Sequence, residues 1–469
     1  MPTLHRSTDS LPGYLSRNTD DLVGQLLEFI EIPGVAAEGG SAITRMAQAA
    51  AAACDAAGMR TRIAPTSGHP VVFATAGPDD APFTLLTYGH YDVFPVTDQP
   101  GWDTDPFKPV LRGDRIYARG AGDNKGQFLA HLNAIRWWQR EAGGLPIKVK
   151  MILEGEEEIG SPHLPEFVHA HRDELDADLC VYSDGPMLPG DRPALLFGVR
   201  GALCLEIHAQ GVARPVHSGN FGGVVPNPIL ELSRLFAALV APDGDLRLPD
   251  KGHPEVTPAE RAALDLLDFD PDEFEQRIGV RPVTERSGES YYERLLYKPS
   301  FNLSGIVSGH TGQGVKTLVP TEALAKVDMR LVGDQDPDEV LSAIQRFAAD
   351  GGYHGVEVRK LFSQPPSRTP LDHPLADVVE QAVREGFDAA PLRVPSLAGT
   401  TPDYVFTKLL GMPSIMLPFA PADENHHAPN ESMKVSLFLG GIRTSARLIE
   451  LLARTPRERT NPHERTRSS

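Results

Sequence analysis

Between about residue 70 and residue 185, short apolar runs alternate with stretches of helical periodicity. This alternation commits the chain to an α/β layer around a largely parallel sheet. The runs "PVVFATA", "FTLLTYGHYDV", "IKVKMILEG" and "ADLCVYSDG" have the length and the β-branched content of strands. Between them, "KGQFLAHLNAIRWWQREAGG" and "LPEFVHAHRDEL" read as helices. Upstream, the spacing predicts a helix over Asp20–Ile32 with acidic residues in its first turn. An Ala-rich helix follows, with Ser41 as N-cap and Gly58 as its stop.

The pattern changes near Phe197. "ALLFGVRGALCLEIHAQG" reads as long alternating strands, "NPILELSRLFAALVA" as a helix, "ALAKVDMRLVG" as a strand, "DPDEVLSAIQRFAAD" as a helix and "GVEVRKLF" as a strand. That order suggests a small α+β domain of ferredoxin-like type. From Leu371 the α/β character returns with "HPLADVVEQAVREGF" and "LGMPSIMLPF". The expected organisation is one α/β domain, residues 1–198 and 371–455, interrupted by an inserted α+β domain at 199–370. A polar tail at 456–469 is expected to be disordered. The Pro-rich, acidic stretch from about 242 to 300 carries no readable role.

The net charge of −18 over 469 residues argues against nucleic acid or an anionic membrane as partner, since both select basic surfaces. No apolar run reaches the length of a membrane span. The first residues, "MPTLHRSTDSLPGYLSR", lack the apolar centre of a secretory signal. Cys54, Cys180 and Cys204 are scattered and form no CxxC pattern, so neither a disulfide framework nor a cysteine zinc site is expected. These features fit a cytoplasmic protein.

In "MILEGEEEIGSP", Glu154, Glu156, Glu157 and Glu158 crowd into five positions. Such crowding requires open water or a cation. Other polar clusters also follow core strands or open a helix: His90 and Asp92 in "YGHYDVFP", Asp123 in "GAGDNKG", Asp184 in "YSDGP", and His426 and His427 in "PADENHHAPNE". Alone, Asp123, Asp184, His426 and His427 read more simply as turn, cap or surface residues, while His90 reads equally as a satisfied histidine at a strand end or as a ligand. "GAGDNKG" is not a phosphate-binding loop, because its spacing is wrong and no Ser or Thr follows Lys125. Ligands of open parallel sheets bind beyond the carboxyl ends of the strands, so these clusters can converge. A set of His, Asp and Glu suits Zn²⁺ or Mn²⁺ better than Ca²⁺, and five ligands exceed one tetrahedral ion. Two ions sharing a carboxylate is the economical arrangement.

Taken in order, "YGHYDVFP", "ARGAGDNKG", "EGEEEIGS", "SDG" and "HHAPNE" resemble the co-catalytic zinc peptidases of the carnosine dipeptidase, glutamate carboxypeptidase and aminoacylase superfamily. So do "RPVHSGNFGGVVPNP" and "GQGVKTLVPTEALAKVDMRLV" in the inserted region, and the resemblance covers roughly residues 20–450. It implies a catalytic domain interrupted by a lid and dimerisation domain, and two divalent ions per subunit, zinc first, with manganese or cobalt compatible. By the same resemblance the metal ligands are His90, Asp123 as the bridge, Glu158, Asp184 and His427, the last preferred to His426 because it directly precedes "APNE". Asp92 orients His90, Glu157 is the general base, and the peptide bond after Asp123 is cis. The extra acid Glu156 departs from the family pattern and leaves Glu156–Glu157 open as the working pair. His217 corresponds to a residue that steadies the oxyanion from the second subunit of a homodimer. Without the resemblance it reads as a capping histidine in a Gly-rich turn. Arg330 shares one strand face with Lys326 and Asp328. It reads as an exposed cation or, by resemblance, as the ligand of the substrate carboxylate. Thr400 and Thr401 match more loosely a small hydroxyl residue near the substrate tail.

The implied activity is metal-dependent hydrolysis of a dipeptide or short peptide by a bridging hydroxide, with Glu157 moving the proton. An N-acyl amino acid deacylase of the acetylornithine or succinyl-diaminopimelate type would use the same residues. A non-catalytic dimeric binding protein that kept the fold is the reading from another class.

Overall fold

The strand Thr84–His90 is buried along nearly its whole length, as is Leu179–Tyr182. Strands covered on both faces lie inside a sheet, and the sheet here has eight. Its order is Arg60–Ala64, Val71–Ala76, Lys148–Glu154, Thr84–His90, Leu179–Tyr182, Ser414–Met416, Ala194–Leu196, Leu392–Val394. The four central strands, Lys148–Glu154 through Ser414–Met416, run parallel. The first two strands and the Ser414–Met416/Ala194–Leu196 pair are joined antiparallel. The protein is therefore mixed α/β with a mainly parallel sheet. Register places His90 beside Glu154 at the carboxyl ends of two neighbouring strands.

The computed structural model describes residues 10–248, 254–284 and 290–455, so the tail expected at 456–469 lies outside the described residues. The chain divides into two units. One comprises Met1–Gly198, Thr369–Val394 and Thr401–Ser469, and the other Val199–Arg368 and Pro395–Thr400.

In the first unit, three expected helices differ in detail. The first runs Leu11–Ile30 rather than from Asp20, because Ser10 caps it, accepting from the Gly13 N–H at 3.4 Å, and Pro12 fits its first turn. Asp20 and Asp21 are thus mid-helix. The second runs Gly40–Ala56 from Gly39, so Ser41 lies inside the first turn and is not the N-cap. "LPEFVHAHRDEL" forms two short helices, Leu164–Ala170 and Arg172–Leu175, broken at His171. The helix Gly126–Arg140 packs on Val435–Leu452, and Trp138 Nε1 donates to Ala446 O at 3.0 Å. Among the described residues no helix is long and apolar enough to cross a membrane.

The second unit holds an antiparallel sheet in the order Ser300–Ser308, Glu322–Leu331, Gly201–Gln210, Val356–Gln364. Alternation sends Leu203, Leu205, Ile207, Val327 and Met329 into a core with Leu232, Leu235 and Ile344. The last three come from the helices Pro228–Leu239 and Pro337–Asp350. Cys204, Lys326, Asp328 and Arg330 fall on the other face and are half-buried. The stretch from 242 to 300 adds the short helices Pro258–Leu264, Pro271–Ile278 and Tyr291–Tyr297.

Gly89 allows the strand that ends in His90 to meet the helix Gly126–Arg140. A Cβ there would sit 2.6 Å from Phe128 Cβ. Gly89→Ala is expected to cost about 1–3 kcal/mol through overpacking, lowering the thermal midpoint by several degrees. A differential scanning calorimetry trace matching the unsubstituted protein would contradict this packing.

Candidate metal centre

The crowded glutamates separate into two kinds. Glu154 Oε1 accepts from the Tyr88 hydroxyl at 2.7 Å and from Ser161 Oγ at 2.9 Å. Glu156 accepts from the His69 N–H at 3.0 Å, and its Oε2 lies 2.8 Å from His163 Nδ1. Both are buried and occupied with local partners. Glu158, by contrast, has a side chain only 2 % exposed, and its Oε1 has no hydrogen-bond partner.

Glu158 faces Asp123 and His427. His427 Nε2 lies 3.0 Å from Glu158 Oε2 and 3.0 Å from Asp123 Oδ2. On the other side of the same carboxylate, His90 Nε2 is 3.1 Å from Asp123 Oδ1 and 4.0 Å from Asp184 Oδ2. Asp123 thus offers one oxygen to His90 and Asp184 and the other to His427 and Glu158. Asp123 Oδ2, although close to His427, lacks a hydrogen bond of proper alignment. Buried acceptors without donors are costly. Atoms that crowd within about 3–4 Å without aiming at one another suit ligands directed at a common ion. His90, Asp123 and Glu158, and separately Asp123, His426 and His427, can each present donor atoms within 4.8 Å of one another. The chemistry of the donor set therefore fits divalent ions.

Neighbouring groups fix these side chains. His90 Nδ1 is 3.1 Å from Asp92 O and 3.3 Å from Asp92 Oδ1. The Asp92 carboxylate also accepts from the Glu157 N–H at 3.2 Å and the Glu158 N–H at 3.0 Å. Glu431, not singled out from the sequence although it closes "HHAPNE", accepts at Oε1 from the N–H groups of Gly122 and Asp123, both at 3.0 Å. Its Oε2 is held by buried Arg119 at 2.7 Å. The Asp123–Asn124 peptide is cis. His426 lies 3.6 Å from Asp123 Oδ2 and pairs with Glu424 Oε1 at 3.2 Å. His427 stacks on Phe94, ring centroids 4.1 Å apart.

Without ions the charges are badly matched. Burial pushes Glu157 and Glu158 well above the usual carboxylate range, against the pull of His90, and the neighbouring Asp184 and Asp123 carboxylates add to the shift. Burial, then Asp123, raises Asp184. Burial also opposes the charge on Asp123, yet His427 and His90 hold it well below that range. A divalent ion held there would oppose these upward shifts by supplying positive charge.

Arg330, Thr400 and His217 belong to the second unit. Arg330 Nη1 donates to Thr400 Oγ1 at 2.8 Å, and Thr400 Oγ1 donates to Arg200 O at 2.8 Å. Thr401 belongs to the first unit and exchanges a hydrogen bond with the Tyr182 hydroxyl at 2.9 Å. His217 is exposed. Its Nδ1 accepts from the Gly219 N–H at 3.1 Å, capping the turn Ser218–Phe221, and its Nε2 lies 3.2 Å from Thr317 Oγ1. Within one chain His217 is the capping histidine.

The sequence model described as peptidase family M20/M25/M40 matches residues 86–451. The Cys-Gly metallodipeptidase DUG1 of Saccharomyces cerevisiae is 28% identical over 404 residues, 82% of this chain and 83% of that protein. The Beta-Ala-His dipeptidase of Rattus norvegicus is 28% identical over 374 residues, 78% of this chain and 76% of that protein. Among solved structures, the M20 family metallo-carboxypeptidase Sso-CP2 from Sulfolobus solfataricus superposes with a TM-score of 0.85 at 31% identity, covering 93% of this chain and 100% of that one.

Burial raises Glu154 from 4.5 to about 8, against the bond from Tyr88. A carboxyl whose folded pKa exceeds its unfolded value stabilises the fold while protonated. That contribution is complete below the unfolded pKa and fades as pH rises toward about 8. Glu424, also raised by burial to about 8, acts in the same direction. In chelator-treated protein, Glu154→Gln is expected to keep the Tyr88 hydrogen bond and to lose less stability than the parent between about pH 5 and about pH 8. Identical pH slopes in circular-dichroism melts of the two proteins would exclude this titration.

Proposed function

Because the chain belongs to the M20/M25/M40 peptidase family, we propose that it is a dinuclear-metal dipeptidase that hydrolyses the amide bond of dipeptides or short peptides. The observation that carries this reading is the placement of Asp123, whose two oxygens each face their own imidazole–carboxylate set. Two divalent ions, zinc first with manganese or cobalt compatible, would supply Lewis-acid polarisation of the scissile carbonyl and a water acidic enough to react near neutral pH.

In this proposal His90, Asp184 and Asp123 hold one ion, and Asp123, Glu158 and His427 hold the other. Asp92 fixes the ring of His90 through Nδ1, as a carboxylate behind a ligating imidazole does. Glu157 is the proton carrier. Its carboxylate takes the proton of the attacking water and returns it to the amide nitrogen as the bond breaks. The pairing of Glu156 with His163 and His69 supports Glu157–Glu158, not Glu156–Glu157, as the working pair. Arg330 takes the carboxylate of the substrate with its planar fork, supported by Thr400. A homodimer formed through the inserted domain would bring His217 of the partner subunit to the oxyanion. The unpaired cysteines, with Cys54 and Cys180 buried, support a reducing, cytoplasmic setting.

Purified protein is expected to hydrolyse members of a dipeptide panel in a chelator-sensitive way, and N-acyl amino acids more slowly. Glu157→Ala is expected to retain bound metal by elemental analysis while losing about 10²–10⁴ in kcat, the usual contribution of a positioned acid–base group. Substantial residual turnover would remove Glu157 from its role. Faster cleavage of N-acyl amino acids would replace the dipeptidase with a deacylase.

A further inference from the structure

One buried cation has no part in the function proposed above. Arg200 is 8 % exposed, and arginine is seldom buried without a partner. The loop 397–400 wraps around it. Arg200 Nε donates to Ala398 O at 2.7 Å, and its backbone N–H donates to Gly399 O at 3.2 Å and Leu397 O at 3.3 Å. Thr400 Oγ1 closes the loop on Arg200 O. Those bonds use one of the five donors of the guanidinium. Among the described residues Arg200 has no further side-chain hydrogen bond and no ion pair.

Arg330 stands close by. Ala202, two residues beyond Arg200, pairs directly with Arg330 across the strands. Positions 202 and 330 share one face, and Arg200 lies just before that strand, where the charge of Arg330 reaches it. Thr400 is bonded to both, through the side chain of one and the backbone of the other. The acid beside them is Asp328, 3.6 Å from Arg330 Nε. Two guanidiniums against one carboxylate leave one net positive charge. Burial, and next the charge of Arg330, lower Arg200 to about 10, so it remains a cation at neutral pH and bears the repulsion. Like charges placed side by side with unused donors are relieved when one anion lies against both.

We propose that Arg200 is a second guanidinium of the carboxylate subsite, so that the free C-terminal carboxylate of the substrate is held by Arg200 and Arg330 together with Thr400 as brace. This rests on the reading of Arg330 given above. The subsite takes a free acid and discriminates against a C-terminal amide. Arg200 touches the part of the substrate that does not react, so its effect falls on KM rather than on kcat.

The test uses the metal-loaded full chain, the dipeptide it hydrolyses best, and the C-terminal amide of that dipeptide. Arg200→Gln is expected to raise KM for the acid by roughly 10- to 100-fold, the range for a charge-assisted hydrogen bond. Its kcat for the acid and its kinetics on the amide should change little, and Arg200→Lys should recover part of the preference. A parent protein without acid preference, an Arg200→Gln protein that keeps it, or equal losses on both substrates would overturn the proposal, the last by reducing Arg200 to a scaffold for its loop. If Arg200→Gln does not fold, Arg200→Lys carries the test, since it keeps the charge and loses the fork. If no dipeptide is hydrolysed, the reading of function fails separately. Arg200 is then judged by calorimetric titration of glycylglycine and glycylglycine amide into chelator-treated protein. A preference for the acid that Arg200→Lys or Arg200→Gln lowers supports the subsite, and equal binding of acid and amide refutes it.

Discussion

The arrangement depends on one carboxylate shared in two directions. Asp123 lies in the turn that opens the helix Gly126–Arg140, with its N–H held by Glu431 and Glu431 held by Arg119. That N–H and its neighbour at Gly122 are bonded to a single glutamate oxygen, which fixes the backbone from which the Asp123 carboxylate projects. One meets His90 at the end of a central strand, and the other meets His427 from a distant loop. Five acidic side chains and two imidazoles could not share so small a buried volume as bare charges. Burial first, and the neighbouring carboxylates after it, displace Glu157, Glu158 and Asp184 upward, so added positive charge would be favourable there.

Asp92 gives that site its internal rigidity. It touches the ring of His90 on one side and accepts two backbone N–H groups from the acidic turn on the other. A displacement of the turn carrying Glu157 and Glu158 would therefore be felt at His90, and the reverse. Geometry of this kind holds the carboxylates of Glu157 and Glu158, adjacent in sequence, without independent drift. Glu154 and Glu156 form the layer behind, each satisfied by neutral or imidazole donors rather than by the ion site.

Much of this arrangement was legible because its parts sit where strand periodicity stops. His90, Glu154 and Asp184 could be placed at strand ends from the pattern alone, and Asp123 from its position before a helix. Details that hinge on a single cap were not legible: Ser10 starts the first helix nine residues earlier than the spacing suggests, and Gly39 displaces Ser41. The helix Val435–Leu452 carries the pair Gly440–Gly441, which propensity alone would count against a helix. A Cβ on these glycines would meet rings of Phe387 and Phe419 at 2.4 and 2.5 Å, so tertiary contact demands what local propensity disfavours. Glu431, Arg119 and Arg200 were passed over for a related reason. Their partners lie well over a hundred residues away in the chain, and no local spacing announces such a partner.

The two units carry local charge of opposite sign. The first buries a net negative cluster, which attracts cations. The second carries on one face of its sheet a small net positive patch, Arg200 and Arg330 against Asp328, in a chain whose overall charge is −18. A substrate anion is repelled by most of such a surface and attracted by that patch, so the patch contributes more to selection than its size suggests. Recognition by a fork of two guanidiniums is indifferent to the residues that precede the carboxylate. Such a patch distinguishes a free carboxylate from a neutral amide by charge, whatever residues precede it.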